Sequence, residues 1–258
     1  MPPIAPGDLV AFADNQGHRV LVRAGTPGKP DFQKIPHLGV LDLSRVAGVE
    51  WGSEFAHGGK SYRLIRPTTP DLLKGFARKA QIIMAKDASR ILYECGVKPG
   101  DRIVEAGIGS AFLTAALAQA VAPTGRVYVT EIREDFAEWG LNNLRLAGLD
   151  KYVEVRLGDV TQGIPVTDAD AVILDMPTPW EAVPHARAAL RAGGAFCAYT
   201  PNVSQMEATY RALEEHGFQE IRCFELIERE WTVGERGSRP NMESLGFTAF
   251  LTFARKLD

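Results

Sequence analysis

Two rhythms of apolar and polar positions divide the chain. Up to about residue 66 the apolar runs are short, as in Leu9-Val10-Ala11-Phe12, Val20-Leu21-Val22 and Gly39-Val40-Leu41-Asp42-Leu43. Short alternating runs broken by glycine predict strands. Asp14-Asn15-Gln16-Gly17 and His57-Gly58-Gly59-Lys60 separate such runs and read as hairpin turns. This part predicts a small all-β domain, residues 1–66, shaped as a sheet or barrel. Arg66-Pro67-Thr68-Thr69-Pro70 then punctuates the chain as a boundary. Short helices are expected at 71–76 and 86–95.

From residue 102 the period changes. Strand-like runs at 102–105, 126–130, 153–157, 171–174 and 195–199 alternate with helical patterns at 110–121, 134–147, 184–190 and 204–216. That order predicts a mainly parallel sheet covered on both faces. Residues 219–228 and 247–254 are strand-like again, with an irregular link at 233–246 and no obvious helix between them. They predict an antiparallel pair at one edge. The expected fold is therefore α/β: a seven-stranded, mostly parallel sheet with an antiparallel edge strand over residues 67–258, plus the N-terminal β domain.

Composition narrows the classes. The chain has 258 residues, 45% of them hydrophobic, enough for a large core. Cys95, Cys197 and Cys223 are far apart and form neither a zinc pattern nor a disulfide framework, so no metal is expected. No apolar run approaches the length of a membrane span, and the start lacks a basic and an apolar leader region, so a cytoplasmic protein is expected. The net charge of −3 does not announce a nucleic-acid binder. Basic residues nevertheless gather at Arg63, Arg66, Lys74, Arg78, Lys79 and Lys86, between the two units, and point to a polyanion.

The chemistry concentrates at the strand ends, where open α/β sheets bind ligands. Successive strands end on acids: Glu105, Glu131, Asp159 and Asp175. The first is followed by Gly107-Ile108-Gly109-Ser110-Ala111-Phe112. A dinucleotide turn requires a third small residue where this chain has Phe112, and the acids would repel a diphosphate. S-adenosylmethionine suits the acids better, since it is cationic and lacks phosphate. Glu131 can accept both ribose hydroxyls and Asp159 can accept from the adenine amino group. Glu105 can order the glycine turn or receive the ammonium indirectly. The fourth strand ends in Asp175-Met176-Pro177-Thr178-Pro179-Trp180, a rigid loop with an aromatic wall where a base would receive the methyl group.

These residues resemble the tRNA (adenine-N1) methyltransferases that act on adenosine 58 of the T-loop. The likeness runs through Arg66-Pro67-Thr68, Gln81-Ile82-Ile83 with Lys86-Asp87-Ala88-Ser89, the glycine turn, the Asp175 to Trp180 loop, Pro201-Asn202 with Gln205, and Arg229-Glu230-Trp231. The glycine turn is widespread among methyltransferases, whereas the 81–89 stretch and the Asp175 loop are far more specific. The resemblance implies a class I methyltransferase fold, S-adenosylmethionine as cofactor, tRNA as partner and a homotetramer. It also implies that Ser110, Ala111 and Phe112 lie along the methionine moiety, that Phe136 borders the cofactor and that Asp175 is catalytic. Arg66, Arg78, Lys79, Lys86, Met84, Pro177, Trp180 and Phe247 are expected on the RNA side. Three positions depart from the family: Ala111 replaces a glycine, Met84-Ala85 replaces Tyr-Pro, and Phe247 replaces a histidine. Two other readings stand beside this one. One is a methyltransferase acting on another RNA site or a small molecule. The other is a non-catalytic RNA-binding subunit, which should have lost the strand-end acids that this chain keeps.

Overall fold

The computed structural model describes residues 2–235, 237–242 and 246–258. The N-terminal part holds β1 (Leu9–Ala13), β2 (Arg19–Arg23), β3 (Phe32–Ile35), β4 (Gly39–Asp42), β5 (Glu54–His57) and β6 (Lys60–Ile65). A four-stranded sheet runs in the order β2-β1-β6-β5, and β3 pairs with β4 as a separate hairpin. Both turns read from the sequence join antiparallel neighbours, β1 to β2 and β5 to β6. The inward positions Val10, Phe12, Val22, Leu41, Phe55 and Leu64 pack into a cluster of their own. Phe12 stands edge-on to both Phe55 and Tyr62.

Two helices follow, α1 (Thr69–Gly75) and α2 (Ala85–Glu94). Asp71 caps α1 by accepting from the Thr68 N–H, and its other oxygen meets Arg19 of β2 at 2.7 Å. That pair ties the β unit to the helix.

The second unit runs β7 (Arg102–Ala106), α3 (Phe112–Val121), β8 (Arg126–Glu131), α4 (Glu134–Ala147), β9 (Val153–Leu157), β10 (Ala169–Leu174), α5 (Pro179–Ala189), β11 (Leu190–Thr200), α6 (Val203–Glu215), β12 (Gln219–Glu225), β13 (Trp231–Gly234), β14 (Gly237–Pro240) and β15 (Phe250–Arg255), and all of these strands except β13 and β14 join in one large sheet. Its order is β12-β15-β11-β10-β7-β8-β9. The last two strands of this sheet do form an antiparallel pair at one end. Within that pair β15 is inserted between β12 and β11, so the strand that opposes the rest is second from the edge. Strand alternation builds two cores. Ile103 and Ile173 face the side covered by α2 and α3, whereas Val104, Ala106, Val172 and Leu174 face α5 and α6.

Two departures from the sequence reading have local causes. Helix α5 starts at Pro179 rather than near Pro184, because Pro179 occupies the first turn, where its missing N–H costs nothing. Pro184 is carried inside the helix. The supposed irregular link contains an exposed hairpin, β13 with β14. Its glycines and lack of a buried face left no periodic signal. Residues 236 and 243–245 of that link lie outside the described residues.

Candidate functional site

The carboxyl ends of β7 to β10 open into a cleft of about 580 Å³. Gly107, Gly109, Glu131, Asp159, Asp175 and Pro177 all line it. The chain reaches it four times by the same route, a strand end and then a turn.

The turn after β7 has no room for a side chain at its first glycine. Gly107 has φ +87°, and a Cβ there would lie 2.6 Å from the carbonyl oxygen of Asp175. Only glycine meets both demands. The Asp175 N–H in turn donates to the carbonyl of Ala106, clamping the first and fourth strand ends together. Ala111 ends the turn in the left-handed region, at φ 60° and ψ 29°, just before α3. That conformation explains the family's glycine at this place and costs an alanine about 1 kcal/mol. Ala111 is fully buried and belongs to the core beneath the turn.

Glu131 organises the floor. One oxygen accepts from the Ile108 N–H and the other from the Arg133 N–H. Asp159 uses one oxygen to accept from the N–H and hydroxyl of Thr161, which holds its carboxyl below the usual range. Its other oxygen has no partner among the described residues and remains an acceptor. Glu105 lies under the turn, 2% exposed, with Oε2 unpartnered among the described residues. Burial pushes its carboxyl up to about 8; the Thr114 hydroxyl acts against the shift, and Asp175 and Glu131 add to it. Asp175 is raised to about 6, chiefly by desolvation and then by Glu131. It can be reached from the mouth of the cleft, yet protein surrounds it on the remaining sides.

A strap formed by residues 76–81 covers one rim, and Ala80 and Gln81 line the cleft directly. Ser110 Oγ accepts from the N–H groups of Lys79 and Ala80 at 3.0 and 3.3 Å. Asn143, buried on α4, donates to the carbonyls of Ala77 and Ser110. Lys79 reaches Asp135 and lies over the rings of Phe136 and Trp139. Ser110, Ala111, Phe112 and Phe136 therefore surround the cleft and hold its rim, rather than lining it.

The RNA-side candidates are scattered. Pro177 lines the cleft, and its carbonyl accepts from Gln205 of α6, which is itself held by Asn202. Trp180 lies in the first turn of α5, half-buried. Lys86 bonds to Asp87 at 2.7 Å and to Thr248 at 2.6 Å. Met84 caps α2, and Phe247 packs against Phe250. Arg78 lies over Phe112, and Arg66 stacks on Trp51 away from the cleft.

Sequence reasoning missed several supports. Tyr199 follows Ala198, which pairs with Leu174, so it sits beside Asp175 across the sheet. Its hydroxyl is buried without a partner among the described residues, as is Asp87 Oδ2. Asn143 carried one usable signal, a polar residue on the apolar face of α4.

The donor set decides what the cleft can hold. Its lining offers carboxylates with free acceptor oxygens, and Arg133 is the one basic side chain among the described lining residues. The Arg133 guanidinium is stacked on Phe136. A cationic, phosphate-free cofactor such as S-adenosylmethionine fits these residues, and a diphosphate does not.

Comparison with known proteins agrees with this chemistry. The family described as tRNA methyltransferase complex GCD14 subunit matches residues 62–238. A tRNA (adenine(57)-N(1)/adenine(58)-N(1))-methyltransferase from Methanocaldococcus jannaschii is 33% identical, across 95% of this chain and 93% of its own. A tRNA (adenine(58)-N(1))-methyltransferase from Thermus thermophilus is 32% identical across 97% of each chain. Among solved structures, a SAM-dependent O-methyltransferase from Thermotoga maritima superimposes with a TM-score of 0.84 at 31% identity, covering 99% of this chain and 95% of that one.

Proposed function

The chain belongs to the tRNA methyltransferase complex GCD14 subunit family, and from that membership we propose that it methylates N1 of adenosine 58 in the T-loop of tRNA. The observation that carries the reading is the retention of Glu131, Asp159 and Asp175 around one cleft. A non-catalytic subunit has no use for that set.

S-adenosylmethionine, when bound, supplies a methyl group on a cationic sulfur. Glu131 would hold its ribose hydroxyls and Asp159 its adenine amino group, while Gly107 and Gly109 leave the turn open for the methionine end. Glu105 contributes negative charge from beneath the turn once it ionises. Adenine N1 carries an in-plane lone pair, so no base has to remove a proton before attack. The task left to the protein is placement and electrostatics. Asp175 accepts a hydrogen bond from the exocyclic amine of the target base and stabilises the positive charge that develops on the ring. Pro177, held by Gln205, keeps the Asp175 loop in register. The strap at 76–81 shields the cleft from one side.

Residues 1–66 serve as an RNA-binding accessory domain, and residues 67–258 as the catalytic domain. Arg66, Arg78, Lys79 and Lys86 belong to the RNA side, with Met84, Trp180 and Phe247 near the target base. Assembly is as a homotetramer in the cytoplasm. Exposed apolar side chains at Tyr93, Ile227, Trp231 and Val233 support an assembled state, which light scattering would size.

Incubation with methyl-labelled cofactor and bulk tRNA, followed by nucleoside analysis, tests the activity. Label in N1-methyladenosine at position 58 is expected. Label absent from tRNA would overturn the reading.

A further inference from the structure

A second cleft, about 440 Å³, lies away from the strand ends, between the β1–β2 hairpin, β6 and the end of α1. Its chemistry is the opposite of the first. Arg19, Lys60, Lys74 and Arg78 face it, and Asp14 is its one carboxylate among the described lining residues. Asp14 is already engaged by the His18 ring and by the N–H groups of Gln16 and His18. Arg19 is neutralised by Asp71. The other three cations have little to bind. Lys74 has only the Gly17 carbonyl at 3.5 Å. The side chains of Lys60 and Arg78 have no hydrogen bond or ion pair among the described residues. Tyr62 forms part of the wall, 6% exposed, and its hydroxyl also lacks a partner there. Unpaired cations around the hydroxyl of a largely buried tyrosine make a receptor for an anion with several acceptor oxygens.

Its place in the molecule specifies which anion. Arg78 belongs to the strap whose next residues, Ala80 and Gln81, line the methyl-transfer cleft. Two residues of extended chain span at most about 7 Å, so the clefts share a wall. Ser110 and Asn143 pin that strap, so its two faces keep their spacing. A single RNA strand can reach both at once.

We propose that this cleft grips the sugar–phosphate backbone of the RNA strand that delivers its adenine to Asp175. The inference rests on the tRNA reading above and names where the β domain holds the substrate. Taking a base out of its stack costs a few kcal/mol, and a backbone anchor one wall away offsets that cost.

Binding of an unmodified tRNA transcript, followed by fluorescence anisotropy across a salt series, tests it. Lys60→Ala with Arg78→Ala should weaken binding about tenfold or more near 0.1 M salt. It should also flatten the slope of log K against log[salt] by between one and two. Tyr62→Phe, which keeps the ring in place, should weaken binding about threefold and leave the slope alone. The cofactor dissociation constant should stay the same in Tyr62→Phe and in Lys60→Ala alone, neither of which touches the strap. Native affinity and slope in the double variant would overturn the proposal. Failure of the underlying function looks different: the native protein would bind the transcript but form no N1-methyladenosine. A native protein that does not bind the transcript overturns both.

Discussion

The two clefts of this molecule share a wall and have opposite electrostatics. In the strand-end cleft, Glu131, Asp159 and Asp175 gather above a buried Glu105. Desolvation, and then the like charges nearby, raise the pKa values of Glu105 and Asp175. In the β-domain cleft, Lys60, Lys74 and Arg78 face solvent with little to neutralise them. A net charge of −3 averages the two and conceals both. The difference shows how one chain can serve a cationic cofactor and a polyanionic substrate: the charges are sorted by cleft, with the strap at 76–81 between them.

The largest effect that can separate the clefts comes from Asp175. Asp175→Ala should lower kcat about 10²–10³-fold while tRNA affinity, measured on the same protein, stays close to native. Equal losses in both would mean that the clefts do not act separately. Gly107→Ala should come next. Its Cβ would meet the Asp175 carbonyl at 2.6 Å in a left-handed conformation. We expect about 1–3 kcal/mol of lost stability by denaturant titration, with cofactor binding lost and RNA binding kept. If cofactor titration calorimetry showed native affinity, the turn would be softer than its contacts imply.

Glu105 sharpens the comparison through pH. Its folded-state value near 8 exceeds the unfolded value of about 4.5, so the native state holds a proton that the unfolded chain releases between those limits. Its contribution to stability therefore falls as pH rises through that window. Glu105→Gln should raise the cofactor-free Tm at pH 8.5 and change it little at pH 4.5. The same change should weaken cofactor binding, because a carboxylate beneath the turn is lost. For Asp175, kcat/KM should fall as pH drops through about 6, since the protonated carboxyl can no longer stabilise positive charge on the base. A flat profile between pH 5 and 7 would count against its role. The smallest effect belongs to Ala111→Gly, expected to be stabilising by about 0.5–1 kcal/mol in thermal unfolding, with kinetics unchanged.

Much of the strand-end cleft is legible in the amino-acid sequence. Apolar runs ending on acids, followed by glycine or proline turns, are local signals, and an open α/β sheet brings such ends to one edge. Phe112 at the third small position argues against a dinucleotide whatever its packing. The supports are not legible. Asn143 reaches back to Ala77 across 66 residues, Gln205 reaches the Pro177 carbonyl from another helix, and Tyr199 meets Asp175 only through strand register. Ser110 is expected along the cofactor, and the further use of its hydroxyl oxygen, as acceptor for the strap, has no sequence signal. The RNA side is least legible. Arg66 and Arg78 are close in sequence, but one stacks on Trp51 and the other faces the second cleft.

The alternation of elements, the two hairpins of the β domain and the acids at four strand ends follow from the order of residues alone, because each depends on neighbours a few positions away. The insertion of β15 between β12 and β11, the burial that raises Glu105, the crowding by protein and Glu131 that raises Asp175, and the shared wall of the two clefts arise only when the chain is packed. Those features depend on desolvation and on contacts between distant segments, and neither is encoded in any one stretch of the chain.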